Sequence, residues 1–253
     1  MDKDYLSCYK FKWTKMYNIK TQKFSEIIEK RVLGLEEVSI AARTLTPEEA
    51  IGNPEERDYP LHKGKERLME AEFKGSKGQA FTDMFGNFKG SLAQIIEMDL
   101  SNNFRRAILV ATINAVMRHL GLVERTVHCK DKGPVICSQE LVSYIKKEFG
   151  NPRVAMVGLQ PRMVEALGRE FDIRVTDLDE ENIGKQKFGV MIDPPEQTEA
   201  NLKWCDIALV TGTTLVNDTI GAFRTAKPTI FFGVTIAGPA RLLGLANFCP
   251  CGM

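Results

Sequence analysis

The chain is poor in the residue types that most directly announce a function. It has three histidines and two tryptophans, and its 34 lysines and arginines nearly cancel its 33 acidic residues, leaving a net charge of +1. Without a basic excess, nucleic acid is not an expected partner. Long apolar runs are also missing. The first residues, MDKDYLSCYKFKWTKMYNIK, are basic and aromatic but not continuously apolar, so neither a signal peptide nor a membrane span is expected and the expected location is the cytoplasm. Thiols are kept reduced there, so grouped cysteines point to metal ligation or reactivity rather than to disulfides.

Cysteine is scarce but grouped. Of six, Cys8 and Cys205 stand alone; Cys129 and Cys137 lie with His128 in VHCKDKGPVIC, and Cys249 and Cys251 close the chain in NFCPCGM. Thiolate and imidazole ligate zinc and softer ions, which makes His128, Cys129, Cys137, Cys249 and Cys251 the candidate metal ligands. The spacing is not that of a closed zinc site. His128 and Cys129 are adjacent, so in an extended segment their side chains point apart, and a shared centre requires the tail to fold back onto the VHC loop. Reactive thiols and packing cysteines remain open alternatives.

Along the chain, residues 24 to 52 carry a helical pattern that breaks at Gly52-Asn53-Pro54, and a polar loop follows. ERLMEAEF and GQAFTDMF, separated by KGSKG, predict an antiparallel meander. SLAQIIEMDL and NNFRRAILVATINAVMRHLG are helical, with Ile108, Ala111, Ala115 and Leu120 on a broad apolar face. SQELVSYIKKEFG predicts a helix capped by Ser138 and stopped at Gly150. Beyond Gly150, the short apolar runs RVAMVGL, FDIRVTDLD, CDIALVTGT and PTIFFGVTI alternate with helical or polar links, the pattern of a parallel sheet flanked by helices.

Two turns of that sheet are candidate ligand sites. Gly158, Gln160 and Pro161 open a helix after the first strand, and Asp177 closes the second, where an acidic residue contacts ribose in dinucleotide sites. The G-x-G-x-x-G fingerprint is incomplete, since Gln160 and Met163 stand at the later glycine positions. The third strand runs into TGTTLVNDTI, where Thr211, Gly212, Thr213, Thr214, Asn217, Asp218 and Thr219 either bind an anion or simply cap a helix. Glu70 and Glu72 share one strand face, read as the solvent face of a sheet. His119 is read as a helix C-terminal histidine, and Trp13 and Tyr17 as part of an N-terminal arm.

EAEFKGSKGQAFTD, ATINAVMRHLGL, TVHCKDKGPVICS, VGLQPRMVEAL, VTGTTLVNDTI and FCPCG together resemble the heavy-metal chelation domain family over about residues 60 to 252. The resemblance implies an α/β fold: a small α+β domain similar to the N-terminal domain of enolase, then a Rossmann-like domain, with a site in the cleft between them. It also implies that Asn114, His128, Cys129, Cys137 and the Thr211 to Thr219 turn belong to that site. The expected organisation is an arm over 1–23, an α+β domain over 24–121 and a Rossmann-like domain over 122–253. The expected ligand is a metal ion, or a metal-containing or anionic small molecule. An enzyme with a nucleotide-like cofactor and a metal-independent binding protein with structural cysteines are the alternatives.

Overall fold

The computed structural model describes residues 23–27, 39–223 and 226–253. Cys8, Trp13 and Tyr17 lie outside them. The first unit is a four-stranded antiparallel sheet, β1 (Ser39–Thr44), β2 (Arg67–Phe73), β3 (Ser76–Thr82) and β4 (Phe88–Ser91), in the order β3-β2-β1-β4. The meander forms as expected, with Lys74 and Gly75 both at positive φ in its turn. The helical expectation for 24 to 52 fails in part. Residues 23–27 are helical and α1 is Pro47–Ile51, but Ser39–Thr44 is a strand paired with both β2 and β4. Its alanines suit a helix; pairing on both edges and the alternation of exposed Ala41 and Arg43 with buried Ala42 override that preference.

Two helices follow, α2 (Leu92–Ile96) and α3 (Asn103–His119). Residues Arg106 to Met117 of α3 are all buried, so the helix is enclosed on every side. One side packs on the antiparallel sheet, where Gly78 admits it: a Cβ there would sit 2.2 Å from the Ala115 nitrogen. The other side joins the second unit, and one apolar core runs from Met69 and Phe73 through Ile108 and Ile113 to Val210 and Phe231. Asn114 fastens the seam. Its Nδ2 donates to the carbonyls of Gln79 (2.9 Å), Val234 (3.1 Å) and Thr235 (3.2 Å), and its Oδ1 accepts from the Gly238 N–H at 2.7 Å.

The second unit begins with α4 (Gly133–Phe149), which starts five residues before the expected cap. Gly133-Pro134 opens the helix. Ser138 lies inside it, its hydroxyl donating to the Val135 carbonyl, and Gly150 ends it. There follow β5 (Val154–Val157), α5 (Pro161–Gly168), β6 (Ile173–Thr176), β7 (Gln186–Lys187), β8 (Val190–Asp193), α6 (Thr198–Trp204), β9 (Ile207–Thr211), α7 (Thr213–Val216), β10 (Thr229–Phe232), α8 (Ala237–Leu243) and β11 (Ala246–Phe248). The sheet order is β11-β10-β9-β5-β6-β8-β7, parallel throughout except for β7, which pairs antiparallel with β8. Counting the parallel strands by sequence gives 3-2-1-4-5-6, a doubly wound order whose switch point lies between β5 and β9. Helices α4 and α5 cover one face through Leu141, Ile145, Val164 and Leu167. Among the described residues no helix is long and apolar enough to cross a membrane.

Candidate functional site

A cleft of about 450 Å³ opens at the carboxyl ends of the parallel strands. Its floor is made by the turns after β5, β6, β9 and β10 and by Cys249 after β11; Tyr59, Leu61, Glu66 and Phe81 of the first unit face them. This is where open parallel sheets bind ligands, because the turns on either side of the switch point diverge and leave a crevice.

Gly158 lets the first turn pass close to the third. Its φ is +91°, and a Cβ there would lie 2.6 Å from Thr211 Cγ2. The donors that a bound pyrophosphate needs at α5 are largely used within the chain. Pro161 has no N–H, the Met163 N–H is taken by Gln160 Oε1 at 2.5 Å, and the Leu159 N–H by Asp177 Oδ2 at 2.6 Å. Asp177 also accepts from the Asp179 N–H at 2.7 Å, so it ties two turns together. In the threonine turn, the Thr214 hydroxyl donates to the Thr211 carbonyl, whereas the Thr211 and Thr213 hydroxyls pair with each other at 3.1 Å on the cleft wall.

Three buried polar atoms on the cleft wall have no hydrogen-bond partner among the described residues: the Tyr59 hydroxyl, Thr176 Oγ1 and Asn182 Oδ1. Each residue is at most 5% exposed. Leaving a polar group buried and unpaired costs about 1–3 kcal/mol, so native folds avoid it unless something else fills the valence. Asn182 Nδ2 donates to Asp179 Oδ2 at 3.2 Å, which fixes the amide so that the unpaired atom is the carbonyl oxygen.

At one end of the cleft the half-buried Glu66 faces acidic neighbours. Burial, and then the charges of Asp177, Asp83 and Asp179, push its carboxyl up to about 7. The sign of the linkage follows. Against an ordinary value of 4.5, the folded state holds the proton more tightly, so stability falls as pH rises from about 4.5 through 7. Glu66→Gln removes that penalty and is expected to stabilise the protein at pH 8 by about 1–3 kcal/mol, discounted for partial exposure, and by less at pH 5. Urea unfolding at the two pH values measures it; equal effects at both would refute the assignment. Lys65 beside it is engaged, 2.5 Å from Asp179 and 3.1 Å from Glu181.

The other end carries the thiols. Thr126, just upstream, is held to β3: the Gln79 N–H donates to its carbonyl, and its hydroxyl donates to the Lys77 carbonyl. The His128 N–H then donates to Gln79 Oε1 at 2.7 Å, and Gln79 Nε2 donates to Glu70 Oε2 at 2.7 Å. Glu70 is therefore buried, also near Lys77 at 3.0 Å, while Glu72 is exposed; the expected solvent-face pair is split. His128 Nδ1 lies 2.6 Å from the Cys129 carbonyl. A carbonyl only accepts, so Nδ1 carries the hydrogen and Nε2 keeps its lone pair. Burial pulls the ring down to about 4, keeping it neutral.

A tight turn then brings Cys129 against the start of α4, where a Cβ at Gly133 would sit 2.6 Å from the cysteine Cβ. Cys137 lies one turn further along α4, and β11 delivers Cys249 and Cys251 to the same place. Burial pushes the Cys129 thiol up to about 12, with Cys249 and Cys251 adding to the rise, and Cys249 to about 11. The Cys137 thiol is raised by burial and by the same neighbours, and a hydrogen bond joins it to Cys251. These four cysteines are free, and the charges of the tail thiols are felt at both Cys129 and Cys137. Among the described residues, however, no three His, Cys, Asp or Glu side chains converge closely enough to hold a metal ion.

Of the ligand residues expected from sequence, Gly158, Gln160, Asp177, Thr211, Gly212, Thr213, Thr214, Asn217 and Thr219 line the cleft, as do His128, Cys129, Cys137 and Cys249. Cys251 adjoins Cys137. Asn114 and Asp218 do not line it, and every polar atom of the Asn114 side chain is committed to the seam. Tyr59, Glu66, Thr176 and Asn182 were not anticipated.

Residues 142–237 match the DUF364 family model. That family, described as "Putative heavy-metal chelation", is the one the sequence motifs resemble, and the matched region runs from α4 to the start of α8. A DUF364 protein of unknown function from Desulfitobacterium hafniense shares the fold at a TM-score of 0.53 and 14% identity, over 92% of this chain and 84% of that one. Another from Pyrococcus horikoshii does so at 0.51 and 14% identity, over 87% and 79%. No curated protein matches.

Proposed function

We propose that the chain binds a small polar molecule in the cleft, and that the thiol end ligates a thiophilic metal ion held by, or alongside, that molecule. The observation that carries the first part is the set of unpaired buried atoms on Tyr59, Thr176 and Asn182, which a ligand's polar groups would satisfy. The second part rests on the donor set. Four neighbouring thiols and an imidazole with an open Nε2 suit a soft cation, and the family description points the same way.

Since no three such donors converge among the described residues, Cys129 and Cys137 would give the ion only part of its shell and the bound molecule or water the rest, which would place a Lewis-acidic centre at the cleft wall. Neutral thiols must give up their protons to do so, so affinity rises with pH. A nucleotide is a poorer occupant, because the α5 donors and Asp177 already serve one another. Titration with Co²⁺ is expected to produce a sulfur-to-metal charge-transfer band that strengthens from pH 6 to pH 8 and disappears in Cys129→Ser/Cys137→Ser. A chain that gives no such band, or a band indifferent to both substitutions, would sink the metal reading.

A further inference from the structure

We propose that the acidic end of the cleft receives a protonated amine of the ligand, with Glu66 and Asp177 facing its charge and the Asn182 carbonyl taking one of its N–H groups. This rests on the reading of the cleft as a small-molecule site and names the class of molecule it admits. Glu66 lines the cleft, and its carboxyl makes no hydrogen bond or ion pair among the described residues. Its charged surroundings are Asp83 from the loop after β3 and Asp177 and Asp179 from the turn after β6. Among the described residues, the one lysine or arginine on the cleft wall, Lys65, is committed to Asp179 and Glu181.

Asn182 is an independent indication. It is 4% exposed, and its Oδ1 is an unpaired acceptor that needs a donor. Of the groups waiting for a partner at this end, the Asn182 carbonyl only accepts, the Glu66 carboxyl lies among acidic neighbours, and the Thr176 hydroxyl can accept as readily as donate, so the balance disfavours a phosphate or carboxylate. An ammonium meets the reverse, and as it neutralises its surroundings it lets Glu66 ionise, releasing a proton.

The test compares n-butylamine, 1-butanol and butyrate as probes of the melting temperature at pH 8, on the wild-type chain and on Glu66→Gln. The amine is expected to raise the melting temperature more than the alcohol, and butyrate not at all. Glu66→Gln should weaken the amine effect by about tenfold in affinity. If butanol or butyrate stabilises as well as the amine, or if Glu66→Gln binds it equally, the charge assignment is overturned while the cleft remains a binding site. If no probe acts, the assignment also falls, and the Co²⁺ titration decides the thiol reading separately.

Discussion

Asn114→Ala is expected to cost about 4 kcal/mol of folding free energy, a loss of the size reserved for broken buried networks. The side chain is fully buried, donates to three carbonyls from two units and accepts from Gly238. Alanine removes the bonds and leaves their partners without water, at about 1–3 kcal/mol for each group that finds no substitute. Asn114→Asp should be no better, because it sets a carboxylate against those carbonyls. Thr112→Val is the control on the same helix. Thr112 Oγ1 is buried with no partner among the described residues, so its loss should be neutral or stabilising. Urea unfolding measures all three. A cost for Asn114→Ala below about 1 kcal/mol would show that the seam does not depend on this residue.

Gly78→Ala is expected to cost about 3 kcal/mol or more through overpacking. The added methyl would stand 2.2 Å from the Ala115 nitrogen and 2.4 Å from the Ala111 carbonyl oxygen. Those are backbone atoms of a helix enclosed on all sides, so β3 must move instead. Gln79, the next residue, would move with it and lose its hold on the His128 N–H, so the variant should also blunt the Co²⁺ band. Gly75→Ala separates crowding from backbone conformation. Its φ is +78° with nothing within 4 Å, and it should cost only about 1 kcal/mol. Equal thermal shifts for the two would refute the close-approach account.

The parts of the fold legible in the sequence are those in which local pattern and tertiary demand agree. The β2–β3 meander, α3 and the strands β5, β6, β9 and β10 carry their periodicity openly. β1 does not, because its alanine-rich stretch becomes a strand only through its two partners. β11, at three residues, is too short to show a period at all. In the site, turn residues such as Gly158 and Thr211 announced themselves by composition. Asn114 was placed in the site by the resemblance alone, and in the structure its amide is spent on a ring of backbone groups. Glu66, Thr176 and Asn182 were invisible for another reason: their significance lies in missing partners, and no pattern of residues encodes a vacancy.

The apolar cluster threaded by α3 joins the two units, but the cleft walls also draw on the two others: Tyr59 and Leu61 belong to one, and Cys137, Met163 and Phe232 to the other. A molecule bound between the walls therefore ties together clusters that otherwise meet only through their neighbours. Occupancy is thereby converted into whole-protein stability by RT ln(1 + [L]/Kd), which is about 2.7 kcal/mol at one hundred times Kd. The protein is in effect its own ligand gauge, readable before the chemistry of the ligand is known.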